Sequence, residues 1–113
     1  MTNKINAAKS MVEVLEKLAK IERSGALKRP HTAVLHGDVR GVPGGGGENC
    51  VVAKFVTMHT GLRVEVSVCA GGGYLCTDLD SGAWVRVPSR LDELISDCDR
   101  GARPWLYLTV KEW

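Results

Sequence analysis

The sequence has no long run of apolar residues and few aromatic side chains, which make up 5% of its 113 residues. None of its apolar stretches approaches the roughly 18 residues that a membrane-spanning helix requires. Residues 1–20 carry charges throughout and lack the apolar core of a secretory signal. We therefore expect an unsecreted, cytoplasmic protein with no membrane partner. In such a reducing compartment, Cys50, Cys69, Cys76 and Cys98 are expected to be thiols rather than disulfides.

The sequence also lacks the residue spacings that mark metal and catalytic sites. It contains neither Cys-x-x-Cys nor His-x-x-x-His, so no zinc site is expected. The glycine-rich stretch 41–47 is not followed by Lys-Ser or Lys-Thr, which argues against a P-loop and favours a plain surface loop. His36 and Asp38 offer a base and a carboxylate, but no nucleophile turn supplies their partner. We expect no catalytic residue, metal or cofactor, so an enzyme or small-molecule binder is our third hypothesis.

Length, composition and charge favour one globular domain with a basic N-terminal part. The chain is near the commonest single-domain size, so we expect residues 1–113 to form one domain. Residues 1–47 hold eight Lys and Arg against four Asp and Glu, whereas residues 48–113 hold seven against nine. The basic excess makes a nucleic-acid-binding module the alternative hypothesis. Its candidate phosphate contacts are Lys20, Arg23, Lys28, Arg29, His31 and Arg40.

Two segments have the apolar spacing of helices. In residues 3–23, apolar side chains recur every three or four positions, which predicts an amphipathic helix capped at Thr2 or Asn3. Ser89 is a suitable N-cap for a second helix, which a glycine at position 101 can end. Each helix has one apolar face, so both are expected to lie on a sheet.

The remaining segments have the composition and turns of β-strands. Residues 31–39 and 105–110 each predict one strand, and residues 50–87 predict a four-stranded antiparallel meander. Turn signals divide the meander at Thr60-Gly61, at Gly71 to Gly73 and at Asp80 to Gly82. The predicted fold class is α+β: a two-layer sandwich in which an antiparallel sheet of about five to six strands carries two helices on one face. The element order is α-β-β-β-β-β-α-β.

The turns also predict which side chains face the core. In the strand predicted within residues 50–59, we prefer the register that keeps Lys54 out of the core. Its inward residues are then Val51, Ala53, Phe55 and Thr57. A two-residue turn at Gly72-Gly73 places Cys69 opposite Cys76, on the face that points away from the helices.

This second face of the sheet is the candidate interaction site. Tyr74 shares it with Cys69 and Cys76, and Trp105 and Tyr107 join them unless they pack beneath the first helix. Aromatic side chains on a solvent-facing strand are typical anchors of protein interfaces. Our leading hypothesis is therefore a small protein-interaction module whose partner is a host protein or a second copy of the chain. Its size and lack of motifs suggest an accessory or inhibitor protein encoded by a phage or another mobile element.

Overall fold

The computed structural model describes residues 3–23, 39–40, 47–99 and 105–106, with side chains described at 3–20 and 47–97. Within them the chain has three α-helices and a three-stranded antiparallel sheet, which confirms the α+β class. In chain order the elements are α1 (Lys4–Arg23), β1 (Val39–Arg40), α2 (Val51–Thr60), β2 (Val64–Val68), β3 (Tyr74–Asp78), β4 (Trp84–Arg86), α3 (Asp92–Asp99) and β5 (Trp105–Leu106). Short 3₁₀ turns, Gly47–Asn49 and Ser89–Leu91, precede α2 and α3.

Helix α1 confirms the first predicted helix. Its N-cap is Asn3, whose Oδ1 accepts a hydrogen bond from the N–H of Asn6 at 2.8 Å. The residues that α1 buries recur every three or four positions, so one stripe of the helix faces the core. These residues are Ala7, Met11, Val14, Leu15, Leu18 and Ala19.

The strand predicted within residues 50–59 is wrong, because this segment is helix α2. The helix ends at Gly61, whose φ of 74° is left-handed and whose N–H donates to the carbonyl oxygen of Thr57 at 2.8 Å. A strand would have to divide the apolar residues between two faces, whereas residues four apart share one side of a helix. The helix buries Val51, Val52, Ala53, Phe55 and Val56.

Among the described residues the main sheet has three strands, so the five to six predicted are not confirmed. Strands β2, β3 and β4 form an antiparallel sheet in that order, so the predicted meander keeps its last three strands and loses its first to α2. Strands β1 and β5 form a separate antiparallel pair, in which Val39 lies opposite Leu106 and Arg40 opposite Trp105. The first and last strands, whose place the sequence left open, thus pair with each other.

The predicted pairing of Cys69 with Cys76 is also wrong. Cys76 lies opposite Val66, because the turn between β2 and β3 has five residues rather than two. The N–H of Cys69 donates to the carbonyl oxygen of Gly73, and the N–H of Gly72 donates to that of Cys69, both at 2.9 Å. A register shift by an odd number of positions moves a side chain to the other face of the sheet. Cys76 therefore joins Val66 in the core.

The helices and the sheet contribute to one hydrophobic core. Leu91, Leu94 and Ile95 are fully buried in it, which confirms a second predicted helix after Pro88. The other large side chains that are fully buried are Phe55, Met11, Leu15, Leu18, Val51, Val52 and Val56. Among the residues that the structure describes, no helix is both long and apolar enough to cross a membrane.

Gly47, the last glycine of the stretch 41–47, packs against the outer edge of β2. A Cβ atom at this position would lie 2.6 Å from Cγ of Glu65 and 2.7 Å from the carbonyl oxygen of Val66. The carbonyl oxygen of Arg63 accepts a hydrogen bond from the N–H of Leu79, so these two residues form a hydrogen-bonded pair between β2 and β3. Hydrogen-bonded and non-hydrogen-bonded pairs alternate along antiparallel strands, which places Val66, three residues after Arg63, in a non-hydrogen-bonded pair. The carbonyl of Val66 therefore points away from β3. Close approach of the backbone therefore requires glycine at this position. The loop predicted at residues 41–46 lies outside the described residues.

Candidate interaction surface

The three-stranded sheet has two faces of different character. Strand side chains on one face, among them Val64, Val66 and Cys76, are buried in the core. Side chains alternate between the faces of a strand. The second face, called the outer face below, therefore carries Glu65 and Ser67 from β2, Leu75 and Thr77 from β3, and Trp84 and Arg86 from β4.

Trp84 is the most prominent feature of the outer face. Its side chain is 62% exposed. It lies opposite Thr77 on β3, which in turn lies opposite Glu65 on β2. Leu75 is two residues from Thr77 and is a diagonal neighbour of Trp84 on the same face. Within residues 3–20 and 47–97, Phe55 is buried and Tyr74 half-buried, so Trp84 is the exposed aromatic side chain of this part of the chain.

A tight turn fixes the start of β4, and with it the position of Trp84. The buried carboxylate of Asp78 accepts hydrogen bonds from Ser81 Oγ at 2.6 Å and from the N–H groups of Asp80 and Ser81 at 3.3 Å. The N–H of Asp78 also donates to the carbonyl oxygen of Ala83 at 2.8 Å. These bonds satisfy a buried charge and hold the residue before Trp84.

Arg86 is held in place on the same face. Its Nη1 donates to the carbonyl oxygen of Gly72 at 3.3 Å, and its Nη2 donates to Sγ of Cys69 at 3.8 Å. Because Arg86 lies two residues after Trp84, the guanidinium and the indole lie on the same side of β4. The outer face thus combines an exposed aromatic ring with an anchored positive charge.

Cys76 is a core residue with a suppressed thiol acidity. Cys76 is fully buried and its Sγ donates to Sδ of Met11 at 3.7 Å. Burial, together with the nearby Cys50 and Asp78, raises the pKa of the Cys76 thiol to about 12. Within the described part of the chain, no three His, Cys, Asp or Glu side chains gather closely enough to hold a metal ion.

A cavity of about 530 Å³ lies between the start of α1 and the turn after β3. Asp78 lines it, but the carboxylate oxygens of Asp78 are used by the turn. Asp80, also in the lining, forms an ion pair with Arg63 at 3.5 Å. These two carboxylates therefore support the local structure, and the outer face remains the stronger candidate site.

The structure separates the residues that the sequence proposed for the interface. Cys76 presents no side-chain surface to a partner because it lies inside the core. Tyr74 is half-buried and packs against the core, on the face opposite to the predicted one. Cys69 is half-buried beside Arg86. Trp105 is described by its backbone in β5, and Tyr107 lies outside the described residues.

The basic residues proposed for nucleic-acid binding are described only in part. Lys20 is exposed on α1, on a surface that it shares with Glu13, Glu16 and Lys17. Charges of both signs are therefore present on that surface. Arg23 and Arg40 are described by their backbones alone, and Lys28, Arg29 and His31 lie outside the described residues.

Sequence reasoning missed Trp84, although the sequence contains a signal for it. Ala83, Val85 and Val87 alternate with Trp84 and Arg86. A charged Arg86 is expected to face solvent, and alternation then places Trp84 on the same face.

Comparison of the chain with protein-family models, with curated proteins and with solved structures found no match.

Proposed function

We propose that this protein is a small protein-interaction module that binds its partner through the outer face of the sheet. The observation that carries the proposal is the 62% exposure of Trp84 on a face that also holds Leu75 and Arg86. Trp and Arg are the residue types most enriched among interface residues that dominate binding energy. The proposal includes a two-layer arrangement in which the helices cover one face of the sheet and leave the other accessible.

The physical basis is the apolar surface that Trp84 exposes to water. Burial of a large aromatic side chain against a partner removes that surface from water and contributes about 25 cal/mol per Å². Hydrogen bonds of Asp78 hold the turn before Trp84, so the backbone at Trp84 is already ordered before a partner binds. The entropy cost of binding is therefore lower. Leu75 and Thr77 lie next to Trp84 on the same face of the sheet. The absence of a catalytic motif from the sequence is consistent with an accessory or inhibitor role in the cytoplasm.

The test is capture of a partner from host lysate with the tagged protein, followed by affinity measurement on the identified partner. Trp84→Ala should weaken binding by about 30-fold, which corresponds to the roughly 2 kcal/mol that defines a strong interface anchor. Ile5→Ala is the matched control, because Ile5 is a 79% exposed apolar residue on α1. Its affinity should stay within about twofold of the wild type. Equal affinities of the two variants would reject the outer face as the binding site.

The second candidate function is nucleic-acid binding through Lys20, Arg23, Lys28, Arg29 and Arg40. The indole of Trp84 beside the guanidinium of Arg86 favours it, since single-stranded nucleic acids bind where bases stack on aromatic rings near positive charge. Nuclease treatment of the lysate separates the two candidates. Capture that disappears after nuclease, with affinity that falls steeply as salt rises, would replace the protein partner with a nucleic acid.

A further inference from the structure

Within the described residues, strand β4 has an unpaired backbone edge. Val87 N–H donates to Tyr74 O at 3.0 Å, and Asp78 N–H donates to Ala83 O at 2.8 Å. Hydrogen-bonded and non-hydrogen-bonded pairs alternate along an antiparallel ladder. Trp84 and Arg86 are each one position from one of these hydrogen-bonded pairs, so they belong to non-hydrogen-bonded pairs. The N–H and C=O groups of Trp84 and Arg86 therefore point away from β3. In the described part of the chain, β4 pairs with no other strand.

We propose that a second copy of this chain pairs with that edge, antiparallel to β4, about a twofold axis through Val85. In this register Trp84 of each copy lies opposite Arg86 of the other. Each of these two cross-strand pairs exchanges two backbone hydrogen bonds, so that all four outward N–H groups find an acceptor. The same strand serves both copies, as a twofold interface requires. The inference is independent of the proposed function, because dimerisation requires no other partner.

The side chains of β4 select this register over its neighbours. A register in which Trp84 of one copy lies opposite Trp84 of the other places Arg86 opposite Gly82. The left-handed φ of Gly82, 79°, does not continue a strand. A register in which Arg86 of one copy lies opposite Arg86 of the other brings two guanidinium groups together. It also places Trp84 opposite Pro88, which has no N–H to donate. The register centred on Val85 avoids both defects and sets an indole against a guanidinium instead.

The indole and the guanidinium are complementary in charge distribution and geometry. A guanidinium over the face of a tryptophan is attracted by the negative face of the ring. Since β4 is three residues long, the buried area is small, and we expect a concentration-dependent dimer rather than a permanent one.

The test is sedimentation velocity of the purified protein over a wide range of concentrations. Wild type should pass from monomer to dimer as concentration rises. Trp84→Lys places an ammonium opposite the guanidinium in both pairs and should weaken the dimer at least about tenfold. Adding Arg86→Glu to Trp84→Lys makes both pairs attractive and should restore the dimer, in a form that high salt weakens. Val68→Lys, which adds the same charge at a 75% exposed position on β2, the strand that β3 separates from β4, should leave dimerisation unchanged.

A protein that stays monomeric at all concentrations would overturn the inference, as would a dimer that Trp84→Lys does not weaken. Failure of the double variant to dimerise would overturn the register, with circular dichroism establishing that the variants are folded. The proposed function fails separately. If Leu75→Lys and Trp84→Lys both bind the captured partner like wild type, the outer face is not the binding site, whatever the oligomeric state.

Discussion

The thiol of Cys76 occupies a central position in the core, where its Sγ contacts Met11 across the interface between α1 and β3. Ionisation of a thiol at such a position would bury an unpaired negative charge, and this is why its pKa is raised. The buried side chain therefore behaves as a small apolar residue with one weak donor. Its chemistry is expected to appear only when the fold opens.

We predict that the free energy of unfolding falls as pH rises from about 9 to about 12. In this range the unfolded chain releases the Cys76 proton while the folded protein retains it, so alkaline pH favours unfolding by up to about 1.4 kcal/mol per pH unit. Urea denaturation at several pH values measures the slope. Cys76→Ala should remove this contribution, whereas the half-buried Cys69→Ala should retain it. Identical slopes for the two variants would refute the assignment to Cys76.

At the residue scale, the sequence placed some side chains correctly and others on the wrong face of the sheet. Asn3 was predicted as a helix cap and is one, because capping depends on local backbone geometry. Cys76 and Tyr74 were misplaced because their face depends on the length of the turn at residues 69–73, which three consecutive glycines do not determine. The site residue Trp84 was missed with them.

Helix α2 shows where the sequence was ambiguous at the scale of elements. Its segment is rich in β-branched residues, which favour strands, and Gly61 fits a hairpin turn as well as a helix end. Packing decides between them, because one side of a helix collects Val51, Val52, Phe55 and Val56. By contrast, apolar residues recur every three or four positions along the whole of α1 and every second position in β2. These two patterns were sufficient to predict those elements.

We predict that Gly61→Ala destabilises the protein by about 1 kcal/mol, because an alanine at a left-handed φ carries a steric cost of this size. No other atom lies within 4 Å of the added methyl group, so the cost comes from the backbone alone. Gly71→Ala is the matched control, since Gly71 also faces open space but has no positive φ. Its free energy of unfolding should change by less than about 0.5 kcal/mol. Urea denaturation of both variants compares them, and a larger loss for Gly71→Ala would contradict the helix end at Gly61.

At the scale of the whole molecule, the core joins side chains from α1, α2, the sheet and α3 in a single cluster. The sequence could predict the α+β class, since it follows from the periods of its segments. It could not predict that β1 pairs with β5, because the two lie more than sixty positions apart and no local pattern links them. The predicted single domain, residues 1–113, is best tested by unfolding.

We predict one cooperative unfolding transition, because no described element has a core of its own. Far-UV circular dichroism reports the helices, and alkylation of Cys50 and Cys76, resolved by peptide mass spectrometry, reports the core at α2 and β3. The three denaturation curves should coincide. If Cys50 becomes reactive at a lower urea concentration than Cys76, α2 unfolds separately and the single-domain prediction fails.

The close contact of Gly47 with Val66 has a consequence for aggregation. A sheet with two open edges can add molecules at both ends and grow into a fibre, whereas a sheet with one open edge cannot. Here the 3₁₀ turn at Gly47–Asn49 lies against the outer edge of β2 and leaves little room for a foreign strand there. Substitution of Gly47 by a larger residue would push that turn away and expose a second edge. If copies of the chain pair at β4 as proposed, we expect Gly47 to favour finite assemblies over filaments.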